Sequence, residues 1–156
     1  MSKDIQAGDK APAFSLPADG GDTIALKDLK GRAVVLYFYP KDDTAGCTKE
    51  AIGFTESAGA FAKAGAVVVG VSKDPVANHD KFVKKHGLKV RLVSDAGSTL
   101  CEDFGVWVEK SMYGRKYMGI ERSTFLIDGK GVVRKVWRKV RVPGHVDEVL
   151  EAVRGL

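Results

Sequence analysis

The sequence lacks a long hydrophobic run. Nowhere do about 18 apolar residues follow one another, as a membrane-spanning helix requires. The first six residues also lack the basic and then apolar pattern of a secretory signal. Both absences predict a cytoplasmic protein that has no membrane partner.

Cysteine is scarce as well, because the 156 residues contain only Cys47 and Cys101. A chain of this length buries roughly two-thirds of the surface that its unfolded form exposes, so it needs no disulfides to fold. Neither cysteine lies in a Cys-x-x-Cys or Cys-x-x-His pattern, and His79, His86 and His145 have no metal-ligand spacing. Phosphate-loop and dinucleotide fingerprints are missing too. We therefore expect no metal and no other cofactor.

No long stretch of the chain carries charge of one sign. The formal net charge is +5, from 25 basic and 20 acidic residues that are spread along the whole length. Residues 134–141 do mix cations with Trp137, which could suit nucleic acid. A basic strand is more often a solvated face or a guarded sheet edge, so we expect no nucleic-acid partner.

Three short apolar runs predict buried strands at residues 33–39, 66–71 and 124–127, all rich in β-branched or aromatic residues. They do not alternate with polar residues, so both faces of the sheet should be covered. Residues 48–64 and 76–86 have helical spacing, and Gly87 should end the second helix. The expected fold class is therefore an α/β sandwich.

The end of the chain adds a hairpin and a helix to this prediction. The turn residues 128–131 (Asp-Gly-Lys-Gly) should join the strand at 124–127 to a strand at 132–140, which makes the central sheet mixed. A last helix is expected over residues 145–153. We find no repeat or linker, so one domain should span residues 1–156.

Cys47 lies where a predicted strand passes through a loop into a predicted helix. Unpaired backbone N–H groups and the positive end of the helix dipole favour an anion at a helix N-terminus. A thiol in that place is favoured as the thiolate, which is the nucleophilic form of cysteine. The spacing therefore predicts a reactive cysteine, although cysteine without such neighbours is more often inert and buried.

The residues before Cys47 suit a reaction with a hydroperoxide. The hydroxyl of Thr44 can accept the substrate O–H, although it could also serve only as a helix cap. Pro40 fixes the turn and has no N–H of its own, although it could also simply end the strand. A cationic fork would complete the site by stabilising the thiolate and the leaving oxygen.

Pro40, Thr44 and Cys47 match the Pro-x-x-x-Thr-x-x-Cys motif of the peroxiredoxins. Residues 37–48 resemble the bacterioferritin comigratory protein (PrxQ) subfamily. Similar segments follow through nearly the whole chain, at residues 7–16, 105–107 and 119–128. The resemblance implies a thioredoxin-like three-layer sandwich with a mixed central sheet, and a thiol peroxidase that reduces hydrogen peroxide and organic hydroperoxides.

The same resemblance assigns roles to particular residues. Cys47 becomes the peroxidatic cysteine, which is oxidised to a sulfenic acid. Arg122 becomes the arginine that contacts it; sequence spacing alone could not select this residue among the basic ones, and a surface salt bridge is the ordinary alternative. Subfamily members are often monomers, so we expect a monomer.

This chain departs from the family pattern at two positions. Many members have a resolving cysteine at the place of Ile52, and others have one in the next helix, where residues 76–86 contain none. Cys101 is then the only internal candidate. We favour a one-cysteine cycle resolved by thioredoxin, glutaredoxin or glutathione, and the alternative is a two-cysteine cycle with Cys101. Ala45 replaces a usual proline, which should loosen the turn slightly.

Other interpretations remain open from the sequence alone. The chain could be a thiol–disulfide exchange protein, or a holdase or nucleic-acid module that uses the basic segment 134–141. Asp42 and Asp43 are expected to be solvated. Five large side chains are expected to form the wall and loop beside the peroxide site, where they offer apolar area for an alkyl tail: Trp107, Met112, Tyr113, Tyr117 and Met118.

Overall fold

The structure is a computed structural model that describes residues 5–156. The prediction about a secretory signal falls largely on residues 1–4, which lie outside the described residues. Within the described part, no helix combines the length and the apolar character that crossing a membrane needs.

The described elements alternate between strands and helices. In chain order they are β1 (Ser15–Pro17), β2 (Thr23–Ala25), β3 (Ala33–Phe38), α1 (Ala45–Glu56), α2 (Ala58–Lys63), β4 (Ala66–Ser72), α3 (Val76–His86), β5 (Arg91–Ser94), α4 (Leu100–Asp103), β6 (Trp107–Met112), β7 (Arg115–Ile120), β8 (Ser123–Ile127), β9 (Val133–Trp137) and α5 (His145–Arg154). All three strands predicted from apolar runs are present, as β3, β4 and β8.

A five-stranded sheet in the order β5-β4-β3-β8-β9 lies at the centre of the fold. Strands β3, β4 and β5 are parallel, whereas β8 runs antiparallel to both β3 and β9. The turn at residues 128–131 joins β8 to β9, as its composition predicts. The prediction of a mixed central sheet is confirmed.

Both faces of this sheet are covered, because alternate residues of each strand point to opposite sides. One face packs against α1, α2, α3 and α5, and we call this cluster the α1-side core; it includes Val35, Tyr37, Phe54, Phe82 and Leu126. The other face packs against α4 and the N-terminal strands, and we call it the α4-side core; it includes Val34, Leu36, Phe38, Phe104 and Phe125. A strand buried on both sides needs a continuous apolar run, which is why β3 does not alternate.

The helices follow the sequence prediction with one correction. The helix predicted over residues 48–64 is two helices, α1 and α2, with a break at Ser57. Helix α3 has the predicted bounds and ends at Gly87, whose φ of +60° suits glycine. Helix α5 begins at His145, as expected.

The hairpin formed by β6 and β7 is absent from the sequence prediction, which treated its residues as a wall and loop. The two strands pair from Trp107–Ile120 to Met112–Arg115. Tyr113 and Gly114 both have positive φ, as a two-residue hairpin turn requires. Most of its side chains are exposed, so no apolar run marks these strands in the sequence.

Candidate active site

Cys47 is the third residue of α1, on the turn where the chain arrives from β3. Its side chain belongs to the α1-side core and is 1% exposed. The hydrogen bond from Thr48 N–H to the Thr44 carbonyl, 2.8 Å long, begins the helix. The thiol therefore lies at the N-terminus of a helix of 12 residues, where backbone N–H groups favour an anion.

Arg122 approaches Cys47 because of the register of the central sheet. Phe38 at the end of β3 pairs with Ser123 at the start of β8, so residue 122 lies beside the point where the active-site turn begins. Its Nη2 donates to Cys47 Sγ at 3.2 Å. A Cβ atom on Gly46 would lie only 3.2 Å from that Nη2, so the glycine leaves room for the guanidinium.

Glu50 is the second partner of Arg122, and it is absent from the site residues predicted from the sequence. Arg122 Nη1 donates to Glu50 Oε1 at 2.7 Å, and the carboxyl is fully buried. Burial raises the pKa of Glu50 to about 7, although the charge of Arg122 opposes this rise. An available signal was its position three residues after Cys47, on the same face of the helix.

Arg122 stays protonated, and therefore positively charged, in this site. Burial alone would lower the pKa of Arg122, but Glu50 and Cys47 together raise it. His145, by contrast, has its pKa lowered to about 4 by burial, with a further contribution from Arg122. His145 is therefore neutral at neutral pH and hydrogen-bonds with Thr124 Oγ1 at 2.8 Å. Arg122 is the cation that contacts the thiol.

Thr44 occupies the N-cap position of α1, but its side chain makes no capping hydrogen bond. Its Oγ1 donates instead to the Lys41 carbonyl at 2.9 Å, so the alternative that Thr44 serves as a side-chain cap is wrong. With its hydrogen engaged there, the hydroxyl presents lone pairs as acceptors. Pro40 is exposed and opens the turn, and Ala45 is the first residue of the helix.

The turn also corrects the prediction that both of its aspartates are solvated. The side chain of Asp42 is only 5% exposed, and its Oδ1 accepts a hydrogen bond from Tyr39 Oη at 2.5 Å. Asp43 remains 41% exposed. The inward-facing carboxylate of Asp42 connects the turn to the rest of the protein through this hydrogen bond.

A model of the AhpC/TSA family matches residues 7–136, which is most of the chain. The chain belongs to the AhpC/TSA family. A protein of Coxiella burnetii described as putative peroxiredoxin bcp is 56% identical to it over 146 residues, which cover 94% of this chain and 97% of the relative. The chain is thus a peroxiredoxin, and therefore a thiol peroxidase that acts on hydroperoxides and is reset by thiols.

Solved structures agree with this assignment. Peroxiredoxin Q of Xanthomonas campestris superposes with a TM-score of 0.87 at 47% identity, covering 91% of this chain and 90% of the other. The bacterioferritin comigratory protein of Xanthomonas campestris, studied for its alkyl peroxide reduction activity, superposes at 0.88 with 42% identity over 99% and 98% of the two chains. The resemblance to this subfamily and the thioredoxin-like fold are confirmed.

The second cysteine of this peroxiredoxin lies on the opposite face of the sheet. Cys101 is fully buried in the α4-side core, whereas Cys47 belongs to the α1-side core. Burial, together with the Asp95 carboxylate, raises the pKa of the Cys101 thiol far above its ordinary value. The Cys101 backbone N–H also donates to Asp95 Oδ2 at 2.8 Å. Cys101 is therefore a protonated thiol that is held behind the sheet.

The five side chains considered for an alkyl tail do not form one group in the peroxiredoxin structure. Trp107 packs against the α4-side core, with Lys73 Nζ 5.0 Å from its ring centroid. The others project from the β6–β7 hairpin and are largely exposed: Met112, Tyr113, Tyr117 and Met118. Binding of an alkyl tail there stays a prediction.

Two further features concern a possible metal site and the basic segment 134–141. Among residues 5–156, no group of three or more His, Cys, Asp or Glu side chains is arranged to hold a metal ion. The first part of the basic segment 134–141 lies in β9, which is the edge strand of the central sheet. Arg134 contacts Asp128 and Lys135 covers the Trp137 ring, which is the arrangement expected of a guarded edge.

Proposed function

We propose that Cys47 is the peroxidatic cysteine and that Thr44, Arg122 and Pro40 complete its site. The observation that supports this most directly is the fork of Arg122, which donates to Cys47 Sγ with one nitrogen and to Glu50 with the other. A guanidinium fixed by a buried carboxylate is preorganised to stabilise negative charge on sulfur and on the leaving oxygen.

In the first step the Cys47 thiolate attacks the outer oxygen of a hydroperoxide ROOH. A sulfur–oxygen bond forms, the O–O bond breaks, and its electron pair leaves with RO⁻, which takes up a proton to give ROH. Sulfur is oxidised to the sulfenic acid and the peroxide is reduced. Thr44, whose own hydrogen is bonded to the Lys41 carbonyl, accepts the substrate O–H and aligns it for attack.

Hydrogen peroxide and organic hydroperoxides are the proposed substrates. Support for the organic class comes from the Xanthomonas campestris protein, which was studied for alkyl peroxide reduction. The exposed apolar side chains of the β6–β7 hairpin offer a surface for an alkyl group. Pro40 limits the donors around the reacting sulfur, because it has no N–H.

For the second step we propose a one-cysteine cycle with an external thiol. The thiol condenses with the sulfenic acid to give a mixed disulfide and water, and a second thiol then releases Cys47 as thiol and leaves as disulfide. Thioredoxin, glutaredoxin and glutathione are the proposed reductants, acting on a cytoplasmic, single-domain monomer. The alternative two-cysteine cycle needs Cys101 to cross from the other face of the sheet, whereas a disulfide joins Cα atoms about 4.4–6.8 Å apart.

The cycle is tested by intact mass after one equivalent of peroxide, with wild type and Cys101→Ser. We expect Cys47 to carry one added oxygen in both proteins, and Cys101→Ser to turn over within about twofold of wild type with an external thiol. An internal disulfide in wild type, with loss of two hydrogens, would support the alternative cycle. So would loss of turnover in Cys101→Ser while sulfenic acid still forms.

A further prediction concerns the buried carboxyl of the site. Because the pKa of Glu50 rises from 4.5 to about 7 on folding, its stabilising contribution is complete below about pH 4 and is lost as pH rises through about 7. Glu50→Gln lacks this titration. We expect the unfolding free energy of the variant to gain about 3 kcal/mol on that of wild type between about pH 4 and pH 8.

Chemical denaturation across this pH range measures the difference, since all other titrating groups are common to both proteins. Glu56→Gln is the control, because Glu56 lies exposed at the end of the same helix. A constant difference between Glu50→Gln and wild type at every pH would contradict the prediction.

A further inference from the structure

His79 makes two hydrogen bonds that together fix its protonation. It lies on α3, fully buried. Its Nδ1 is 2.6 Å from Asp42 Oδ2 and its Nε2 is 2.9 Å from the Val93 carbonyl oxygen. Both partners are acceptors, so each ring nitrogen must carry a hydrogen. The geometry is that of an imidazolium, which bears a positive charge.

The carboxylate that pairs with this imidazolium is that of Asp42, which belongs to the active-site turn, residues 40–44. Besides His79, Asp42 accepts a hydrogen bond from Tyr39 Oη, and its own N–H donates to Asp74 Oδ2 at 2.8 Å. Asp74 is held in turn by Ser72 Oγ at 2.7 Å. Through Asp42 the turn is therefore fastened to α3, to the end of β3 and to the segment that follows β4.

Three titratable groups face His79: Asp42 on the turn, Asp74 after β4 and Tyr39 directly after β3. The two acids favour the protonated form of His79. Burial alone would lower the pKa of His79, but Asp42 in particular, then the Val93 carbonyl and Asp74, raise it above its ordinary value. Burial also raises the pKa of Tyr39, so its hydroxyl stays a donor.

The neighbouring acid makes a second contact with the same helix, but at the surface. Asp43 accepts from Lys85 Nζ at 2.7 Å and lies 2.9 Å from His86 Nε2. Solvent screens such exposed pairs, so they stabilise a fold little. Asp43 and His86 therefore provide a matched control for the buried pair of Asp42 and His79.

We propose that His79 is a positioning residue which, as an imidazolium, holds the active-site turn closed and thereby sets how readily oxidised Cys47 becomes accessible to an external thiol. This inference rests on the proposed function. The side chain of Cys47 is 1% exposed, so an external thiol of the size of glutathione or larger reaches it only when the turn and the first turn of α1 open. Opening separates His79 from Asp42.

The charge of His79 makes this opening dependent on pH. In the open state the histidine has an ordinary pKa of about 6.5, and in the closed state a raised one. Its contribution to closure is therefore complete below about pH 6.5 and is lost as pH rises through the raised value. Release of oxidised Cys47 should become easier over the same range.

The experiment separates the two steps of the cycle in wild type, His79→Gln and His86→Gln. Stopped-flow with hydrogen peroxide gives the rate of sulfenic acid formation. Addition of glutathione to the oxidised protein then gives the rate of mixed disulfide formation. We expect His79→Gln to speed the second rate by about tenfold or more at about pH 6, since it removes a charged hydrogen bond, and His86→Gln to change it less than about twofold.

The decisive readout is the ratio of the second rate in His79→Gln to that in wild type, because ionisation of glutathione cancels. A ratio that falls as pH rises through the raised pKa of His79 supports the inference, and so does a ¹⁵N spectrum of His79 with both nitrogens protonated at neutral pH. A ratio that is constant with pH, or a neutral His79, overturns it.

Two further measurements cover the cases in which His79→Gln does not fold or Cys47 is not oxidised. Should His79→Gln fail to fold, wild-type hydrogen exchange of residues 41–47, corrected for intrinsic exchange, must show opening that increases with pH; opening independent of pH overturns the inference. If wild type forms no sulfenic acid on Cys47, the proposed function fails. If sulfenic acid forms and only the pH-dependent ratio is missing, the role of His79 alone fails.

Discussion

Replacing Cys47 with serine is expected to reduce peroxide consumption by about a thousandfold or more, to the background rate. A serine hydroxyl stays protonated at neutral pH and is a far weaker nucleophile than a thiolate. Neither the helix N-terminus nor Arg122 can compensate, because both stabilise an anion that serine does not form. Loss of peroxide in the presence of excess dithiothreitol measures the effect.

Cys101→Ser is the matched control for this substitution. It also replaces a buried cysteine by serine, but on the other face of the sheet, so it reproduces the packing change without touching the proposed site. Peroxide consumption by Cys47→Ser at the wild-type rate would exclude Cys47 as the peroxidatic residue. Equal losses in both variants would point to a role for both sulfurs.

Arg122→Lys is expected to lower the second-order rate of sulfenic acid formation by about 10²–10³-fold, although the charge is kept. Arginine contacts Cys47 and Glu50 at once through two nitrogens, whereas the single ammonium of lysine cannot span both. The variant also leaves the buried Glu50 carboxyl without its fixed partner. Stopped-flow kinetics of the reduced enzyme with hydrogen peroxide measure this step.

Arg134→Lys provides the comparison, since Arg134 also contacts a carboxylate, that of Asp128, but is half-exposed on the edge strand. We expect less than about a twofold change for it. If Arg122→Lys reacted as fast as Arg134→Lys, the fork would have no part in the reaction, and the positive charge alone would account for the site.

Much of the fold could be predicted because its central strands are buried on both faces. An apolar run is then visible in the sequence, as it is for β3, β4 and β8. The β6–β7 hairpin could not be predicted in the same way, because Arg115, Lys116 and most of their neighbours are exposed. The break between α1 and α2 could not be predicted either, because Phe54 and Phe61 keep one helical spacing across Ser57.

Some residues of the candidate site could also be placed from the sequence, and others could not. Pro40, Thr44 and Cys47 lie within one turn, so local spacing places them together. Arg122 joins them only through the register of β8 against β3, and His79 only through the packing of α3, so periodicity could not select either residue. For Arg122 the family resemblance supplied what spacing did not.

The placement of the two sulfurs on opposite faces of the sheet has a consequence for oxidative stress. Under the proposed cycle no internal thiol captures the sulfenic acid, so its lifetime depends on the concentration of external thiol. A second peroxide competes for the same sulfur and converts it to a sulfinic acid, which thiols do not reduce. The enzyme is therefore suited to surroundings in which reducing thiols outnumber peroxides, and a surge of oxidant would inactivate it.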